Sequence, residues 1–279
     1  MSNFVFGCSG WSYDDWKLHF YNGDIDSKDM LSFYSSIFKT VEINTTFYNI
    51  PRIEYVRNWV SKTPNDFIFA VKFPQSITHD KLYKDDVFKQ DLTPFLDVLT
   101  ALKPKLGPIL IQLRPKFDKD LSKLENFFTL LPTRYKYSIE FRHKSWITDT
   151  TFQLLEKYNM AYCIVDEPYK TDERKTLIPP VLKITSDFTY IRWHGLNPKH
   201  WYDYLYSEEQ LKEWKEKIQS ISDSVKTVYG YFNNHPNGQA PTNCIQLLRI
   251  FGKKVRNPKS FSIVRGKVRK PTKTLDSFF

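Results

Sequence analysis

The chain has 279 residues, 41% hydrophobic, 26% charged and 16% aromatic, with a formal net charge of +10. That length suits one large barrel-type domain or two ordinary ones. Its three cysteines, Cys8, Cys163 and Cys244, exclude a disulfide framework, and no run nears the roughly 20 apolar residues of a membrane span. With no signal-peptide pattern at Met1–Trp11, a reduced cytoplasmic protein with no membrane partner is expected. The basicity is local. Lys253 to Lys273 holds nine positive charges and no acid, which leaves residues 1–252 at +2.

Taken in order, Phe4–Gly10 reads as a strand and Lys28–Phe38 as an amphipathic helix capped by Ser27 or Asp29. Thr40–Tyr48 alternates. Val41 and Ile43 point one way, Glu42 and Asn44 the other. A helix near Glu54–Thr63 leads to a strand at Asp66–Pro74 with Lys72 in its inner phase. A loop carrying Thr78-His79-Asp80 precedes a helix at Thr93–Leu102. Strand four is Gly107–Pro115, with Gln112 and Arg114 inner. After a helix at Asp120–Leu131, strand five is Tyr135–Arg142, with Glu140 and Arg142 inner. A helix at Thr148–Tyr158 and a strand at Met160–Glu167, carrying Asp166 at its end, follow. Pro168–Asp187 is a polar stretch with no strand or helix pattern, and such long loops are often functional. Strand seven, Phe188–Gly195, turns Arg192 and His194 inward. A charged helix spans Glu208–Ser222. Strand eight, Thr227–Asn234, has Tyr229, Tyr231 and Asn233 inner, and Ala240–Phe251 is the last helix.

Eight strand candidates, mostly separated by helices, predict an α/β chain closed as a TIM (β/α)8 barrel, with the crossover after strand six replaced by a long loop. The barrel is expected over residues 1–255 and a basic arm over 256–279. An open doubly wound sheet needs a Gly-rich phosphate turn after strand one. Gly7-Cys-Ser-Gly10 does not supply it, so no nucleotide cofactor is expected.

Polar inner-phase residues at strand ends converge on one mouth of such a barrel. Glu42, Glu140, Asp166 and His194 are the candidates for proton transfer and for holding Mg²⁺, Mn²⁺ or Zn²⁺. Lys72, Arg142 and Arg192 suit an anionic group. Trp11, Tyr13, Tyr48, Trp146 and Tyr231 suit stacking on a sugar or base, with Asn44, Gln112, Asn233 and the loop residue His79 as polar lining. The structural alternative pairs Glu42 with Lys72 and Glu140 with Arg192, since buried charges normally come paired. His235 beside Pro236 reads as a turn and Trp193 as core. The cysteines read as core too, with Cys8 the one near the mouth.

Several motifs carry a resemblance: Gly7-x-Ser-Gly-Trp11 with Tyr13 and Trp16; Val41-Glu-Ile-Asn-x-Thr-Phe-Tyr48 with Pro51; Phe69-Ala-x-Lys72 with Thr78-His79; Ile109-Leu-Ile-Gln-Leu113; Ile139-Glu-Phe-Arg142 with Ser145-Trp146; Asp166 with Pro168; Tyr190-x-Arg-x-His-Gly195; and Tyr231-Phe-Asn-Asn234. Over about residues 4–250 the chain resembles the YecE-like family, domain of unknown function 72. The resemblance implies a TIM barrel and no particular activity. Arg114, in Leu113-Arg-Pro115, departs from the family's pair of prolines.

The tail differs. After basic residues 265–271 come Thr272, Leu275, Phe278 and Phe279, spaced like the peptide that binds the DNA sliding clamp, PCNA, with Thr272 where glutamine is usual. Such peptides are found notably in archaeal clients. The arm suits DNA phosphates. The leading expectation is therefore metal-assisted phosphodiester hydrolysis on a phosphorylated or nucleic-acid substrate, recruited by the clamp. Its rivals are a sugar or sugar-phosphate enzyme using Glu42 and Glu140 as an acid–base pair, and a non-catalytic clamp-bound nucleic-acid adaptor.

Overall fold

The eight apolar runs become eight strands: β1 (Asn3–Ser9), β2 (Thr40–Ile43), β3 (Ile68–Lys72), β4 (Leu106–Gln112), β5 (Tyr137–Glu140), β6 (Ala161–Asp166), β7 (Phe188–Trp193) and β8 (Thr227–Phe232). In this computed structural model they close in sequence order into one barrel of parallel strands, β8 pairing β1 from Asn3↔Thr227 to Cys8↔Phe232. The expected TIM-type (β/α)8 architecture is therefore present. The structure describes residues 2–21, 23, 25–80, 85–168, 178–258, 262–264 and 267–269, with only the backbone described at 79–80, 85–89 and beyond 258.

The helices are α1 (Trp16–His19), α2 (Ser27–Ile37), α3 (Ile53–Ser61), α4 (Asp85–Thr100), α5 (Leu121–Thr129), α6 (Asp149–Lys157), α7 (Glu208–Ser222) and α8 (Gln239–Ile250). Local chemistry explains their bounds. Ser207 and Gln210 close a capping box at the start of α7, whose buried Leu211, Trp214, Ile218 and Ile221 recur at helical spacing. Thr148 accepts from the Thr151 amide at the start of α6, and Asp120 from the Lys123 amide at α5. α4 starts at Asp85 rather than Thr93, with Pro94 inside it. A proline early in a helix reads as a first-turn residue, and that reading sets the start too late. Between β6 and β7 the described residues contain no helix.

Two elements depart from the sequence reading. β2 stops at Ile43, and Thr45–Phe47 forms a single 3₁₀ turn. The basic segment carries a pair of short strands, β9 (Ser262–Val264) and β10 (Lys267–Arg269), antiparallel to each other.

Alternation sorts the side chains. Outward residues such as Phe6, Trp193 and Phe232 pack under the helices; Trp193 stacks on Phe232 at 4.4 Å and meets Trp214 edge-on, as its core reading anticipates. Cys8 also faces outward. Its amide donates to the Tyr34 hydroxyl at 2.8 Å, so it is sealed under α2 and α8 rather than near the mouth. The inward set is polar toward the C-terminal ends of the strands. There Tyr231 and Thr40 share a hydroxyl hydrogen bond of 2.8 Å, below a layer of charges.

Candidate active site at the barrel mouth

The charged layer is built on Arg192. From β7 its Nη2 donates to Glu42 on β2 at 2.8 Å and its Nη1 to Glu140 on β5 at 2.6 Å. Ser9 and Tyr190 also donate to Glu42, at 2.6 and 2.7 Å. All three charged side chains are buried. Burial opposes ionisation of Glu42, but the Arg192 guanidinium and the hydroxyl donors hold it below the usual carboxylate range. Glu140 is likewise penalised by burial, yet Arg192, His194 and Arg142 hold it well below that range. Both are carboxylates at neutral pH, locked by a cation between them.

Above this layer a relay runs across the mouth. Lys72 Nζ donates to Gln112 Oε1 at 2.9 Å, and Gln112 Nε2 donates to Glu140 Oε1 at 2.7 Å. Arg142 Nη1 donates to the same Glu140 oxygen at 2.8 Å and lies 3.6 Å from Glu167 Oε2. β4 and β5 place Gln112 and Glu140 side by side in register, which fixes the relay's centre. Burial, reinforced by Arg192, pushes the Lys72 amine down to about 8. Burial raises Glu167 above the usual range against the pull of Arg142. His194 sits on the turn after β7, its Nδ1 paired with Asn233 Nδ2 at 3.0 Å and its Nε2 3.6 Å from Glu140. Burial and then Arg192 push it down to about 4, so it is neutral at pH 7.

A cleft of about 590 Å³ opens over Arg142, walled by Trp201, Tyr202, His235 and Pro236 and rimmed by Lys199, His200 and Asp203. The Arg142 guanidinium lies 5.2 Å from the Trp201 ring centroid, a cation–π arrangement. Tyr13, His235 and Tyr202 form a stack, with centroids 5.0 Å and 5.8 Å apart. The loop carrying Trp201 and Tyr202 is pinned. Asn234 Nδ2 donates to the Tyr204 carbonyl at 2.7 Å, and the Gly195 amide donates to Tyr206 Oη at 3.0 Å. Gly195 has φ 93°, and a Cβ there would overlap the Trp201 carbonyl, so this fold-back requires glycine.

Of the residues expected here, Glu42, Glu140, Lys72, Gln112, Arg142, Arg192, His194, Asn233 and Tyr13 do converge. Asp166 does not. Its side chain leaves the barrel and accepts from Trp214 Nε1 at 2.9 Å, and burial raises its pKa. The next residue, Glu167, takes the inward place. β6 is apolar on both faces, so its phase is not readable from the sequence. Trp146 is core, stacked on Phe141 at 4.9 Å with Nε1 donating to the Phe117 carbonyl. Tyr231 lies below the charged layer. Asn44 has left the strand, and its Oδ1 is buried without a hydrogen-bond partner among the described residues. Trp11 packs edge-on against Trp59, and Tyr48 is 68% exposed at the rim. Arg114 is exposed. The side chain of His79 and all of Thr272, Leu275, Phe278 and Phe279 lie outside the described residues. The expected ion pairs are re-partnered, because Arg192 takes both glutamates while Lys72 takes the neutral Gln112. Sequence reasoning missed Ser9, Tyr190, Glu167, Trp201, Tyr202 and His235. Among these, Ser9 and Tyr190 fall within the motifs Gly7-x-Ser-Gly-Trp11 and Tyr190-x-Arg-x-His-Gly195, and Trp201-Tyr202 stands as an aromatic pair in a polar loop.

A divalent metal does not fit this donor set. A guanidinium occupies the space between Glu42 and Glu140, Asn233 takes His194 Nδ1, and Asp166 faces the other way. Among the described residues, no group of three or more His, Cys, Asp or Glu is arranged to hold a metal ion. Nor is any helix among them long and apolar enough to cross a membrane.

The chain is 29% identical over 276 residues to the UPF0759 protein YunF of Bacillus subtilis, covering 88% of this chain and 93% of that one. It is 36% identical over 228 residues to the UPF0759 protein YecE of Escherichia coli K12, covering 75% and 80%. A crystal structure of a DUF72 family protein from Thermotoga maritima superposes with a TM-score of 0.82 at 32% identity, covering 90% of this chain and all of that one. The profile described as "Protein of unknown function DUF72" matches residues 5–265, and the chain, with its closed eight-stranded barrel, belongs to that family.

Proposed function

We propose that the barrel mouth is the active site of an enzyme for a small phosphorylated sugar, free or within a nucleotide. The observation that carries this is Arg142, which forms the base of an aromatic cleft whose rim adds Lys199 and His200 against the single acid Asp203. A guanidinium binds phosphate through paired N–H donors, and a wall of rings suits a sugar or base face. The size favours a small molecule over duplex DNA, since about 590 Å³ lies within the usual range for metabolite pockets.

Metal-assisted phosphodiester hydrolysis has no support in this donor set, and no step is derived through a metal. Glu42 and Glu140 do not suit an acid–base pair either, because both are held ionised by Arg192. The groups near the cleft poised for proton transfer are the amine of Lys72, the neutral imidazole of His194 and the carboxyl of Glu167.

Calorimetric titration with ribose 5-phosphate and adenosine 5′-monophosphate, against ribose and adenosine, tests the reading. The phosphorylated compounds are expected to bind, more weakly as salt rises. Arg142→Gln is expected to weaken them about tenfold or more, roughly 1.4 kcal/mol. Equal behaviour of phosphorylated and unphosphorylated compounds, or no binding of either, contradicts it.

A further inference from the structure

We infer that Lys72 is a nucleophilic amine that forms an imine with a carbonyl carbon of the substrate, so that the substrate is a phosphorylated aldehyde or ketone, such as a sugar phosphate in its open-chain form. The inference rests on the reading of the mouth as a phosphate-binding site and adds the bond that is made there.

The geometry around Lys72 carries it. A lysine that served only to neutralise buried acid would be expected on Glu42, on the adjacent strand β2. Instead Arg192 satisfies Glu42 and Glu140 together. Among the described residues, no carboxylate lies within ion-pair distance of Lys72, and its one hydrogen-bond partner is the neutral Gln112 oxygen at 2.9 Å. The ammonium end rests 3.8 Å from the Phe47 ring centroid, a cation–π contact rather than an ion pair. The residue keeps 8% of its surface open.

The surroundings favour the unprotonated amine, which is the nucleophilic form. Burial and Arg192 on β7 push Lys72 down to about 8, with Arg142 after β5 in the same direction and Glu140 on β5 and Glu42 on β2 opposing. A guanidinium could not do this chemistry, which gives a reason for lysine rather than arginine at this position. The two ends of the Lys72–Gln112–Glu140–Arg142 relay then have separate tasks. Arg142 holds the phosphate and Lys72 meets the carbonyl.

The step balances without an external oxidant or reductant. The amine lone pair attacks the carbonyl carbon, a C–N bond forms, and the carbonyl π pair moves to oxygen. Water carries a proton from nitrogen to that oxygen to give a carbinolamine. The nitrogen lone pair then expels the hydroxyl, which takes up the remaining N–H proton through water and leaves as water, and a C=N bond remains. Hydrolysis reverses the sequence. Once protonated, the imine accepts the electron pair of an adjacent C–H or C–C bond, so the reaction class is isomerisation or aldol-type cleavage.

The test is reductive trapping on the intact chain, using glycolaldehyde phosphate or glycolaldehyde with sodium cyanoborohydride, followed by peptide mapping. The adduct is expected on Lys72 at about tenfold or more the level on exposed lysines such as Lys39, which lie outside the cleft. Labelling of Lys72 should rise through about pH 8, and the phosphorylated probe should react faster than glycolaldehyde. Lys72→Arg should abolish that adduct while the unfolding transition persists. Adduct spread evenly over surface lysines, or none on Lys72, overturns the inference. If phosphate binding at Arg142 nevertheless holds, the proposed function survives that failure. If Lys72 labels with no preference for the phosphorylated probe, the imine chemistry stands and the phosphate-binding reading fails.

Discussion

Arg192→Met is expected to destabilise the protein by about 3–5 kcal/mol, because it leaves Glu42 buried without a cation and Glu140 with Arg142 as its remaining guanidinium. That is a large part of the stability of an ordinary domain, about 5–15 kcal/mol. Thermal unfolding should fall by roughly 10 °C. The loss has a signature. With the guanidinium gone, Glu42 loses its only cation and will take up a proton more readily, so the variant's deficit should shrink as the pH is lowered. Adding Glu42→Gln and Glu140→Gln should recover much of the stability, since an uncharged set carries no unpaired buried charge. Equilibrium denaturation of the three proteins measures this. A single variant as stable as the parent would mean that the layer is not held together by charge.

Acid should unfold the protein early, and His194 gives the sign. Its imidazole titrates at about 4 in the fold and near 6.5 in the unfolded chain. Between those values the unfolded chain binds a proton that the folded one refuses. Stability therefore falls as the pH drops from about 6.5 toward 4, by about 3 kcal/mol when the window is fully crossed. Glu42 and Glu140 are depressed in the fold. Their contribution is complete above the unfolded carboxylate value and is lost as the pH falls through their lower folded values, deepening the acid limb. Asp166 and Glu167 are raised and act oppositely, gaining their protons first in the folded state. Urea denaturation at pH 7.0 and 4.5 is the measurement. His194→Gln, whose amide oxygen can still accept from Asn233, should lose about half or more of the difference. An unchanged pH dependence in that variant would remove His194 from the account.

The barrel was legible because its pattern is redundant. Strands such as Thr40–Ile43 and Phe188–Trp193 put apolar residues under helices and polar ones inside, and each repeats the phase of the last. Site residues were legible where that alternation is sharp, as at Glu42, Glu140, Arg192 and His194. They were not where it is absent. Ala161–Asp166 is buried on both faces, so nothing in its composition says which parity faces in, and it is Glu167 rather than Asp166 that reaches Arg142. The cleft was less legible still. Trp201, Tyr202 and His235 are brought over the mouth by Gly195, Tyr206 and Asn234, contacts that join positions far apart in the chain.

Partner choice was the other illegible layer. Sequence shows that buried charges must be compensated but not by which ion. One arginine reaches two glutamates because β7 lies two strands from β5 and three from β2 around a narrow barrel, so its inward guanidinium spans both, and this leaves Lys72 without a carboxylate partner among the described residues. The same fact puts a guanidinium where a metal between Glu42 and Glu140 would sit, and the proposed phosphate binding at Arg142 builds on it. It follows from side-chain reach in a closed barrel, which no single strand encodes.

The central claim is that Arg192 closes the lower layer and that substrate phosphate is held above it by Arg142. It is tested most directly by a crystal structure grown with manganese and ribose 5-phosphate, with anomalous data at the manganese edge. The predicted result is phosphate density against the Arg142 guanidinium beneath Trp201, with Arg192 still bridging Glu42 and Glu140 and no anomalous peak between them. A manganese peak between those two carboxylates with Arg192 displaced, or phosphate bound away from Arg142, would contradict it.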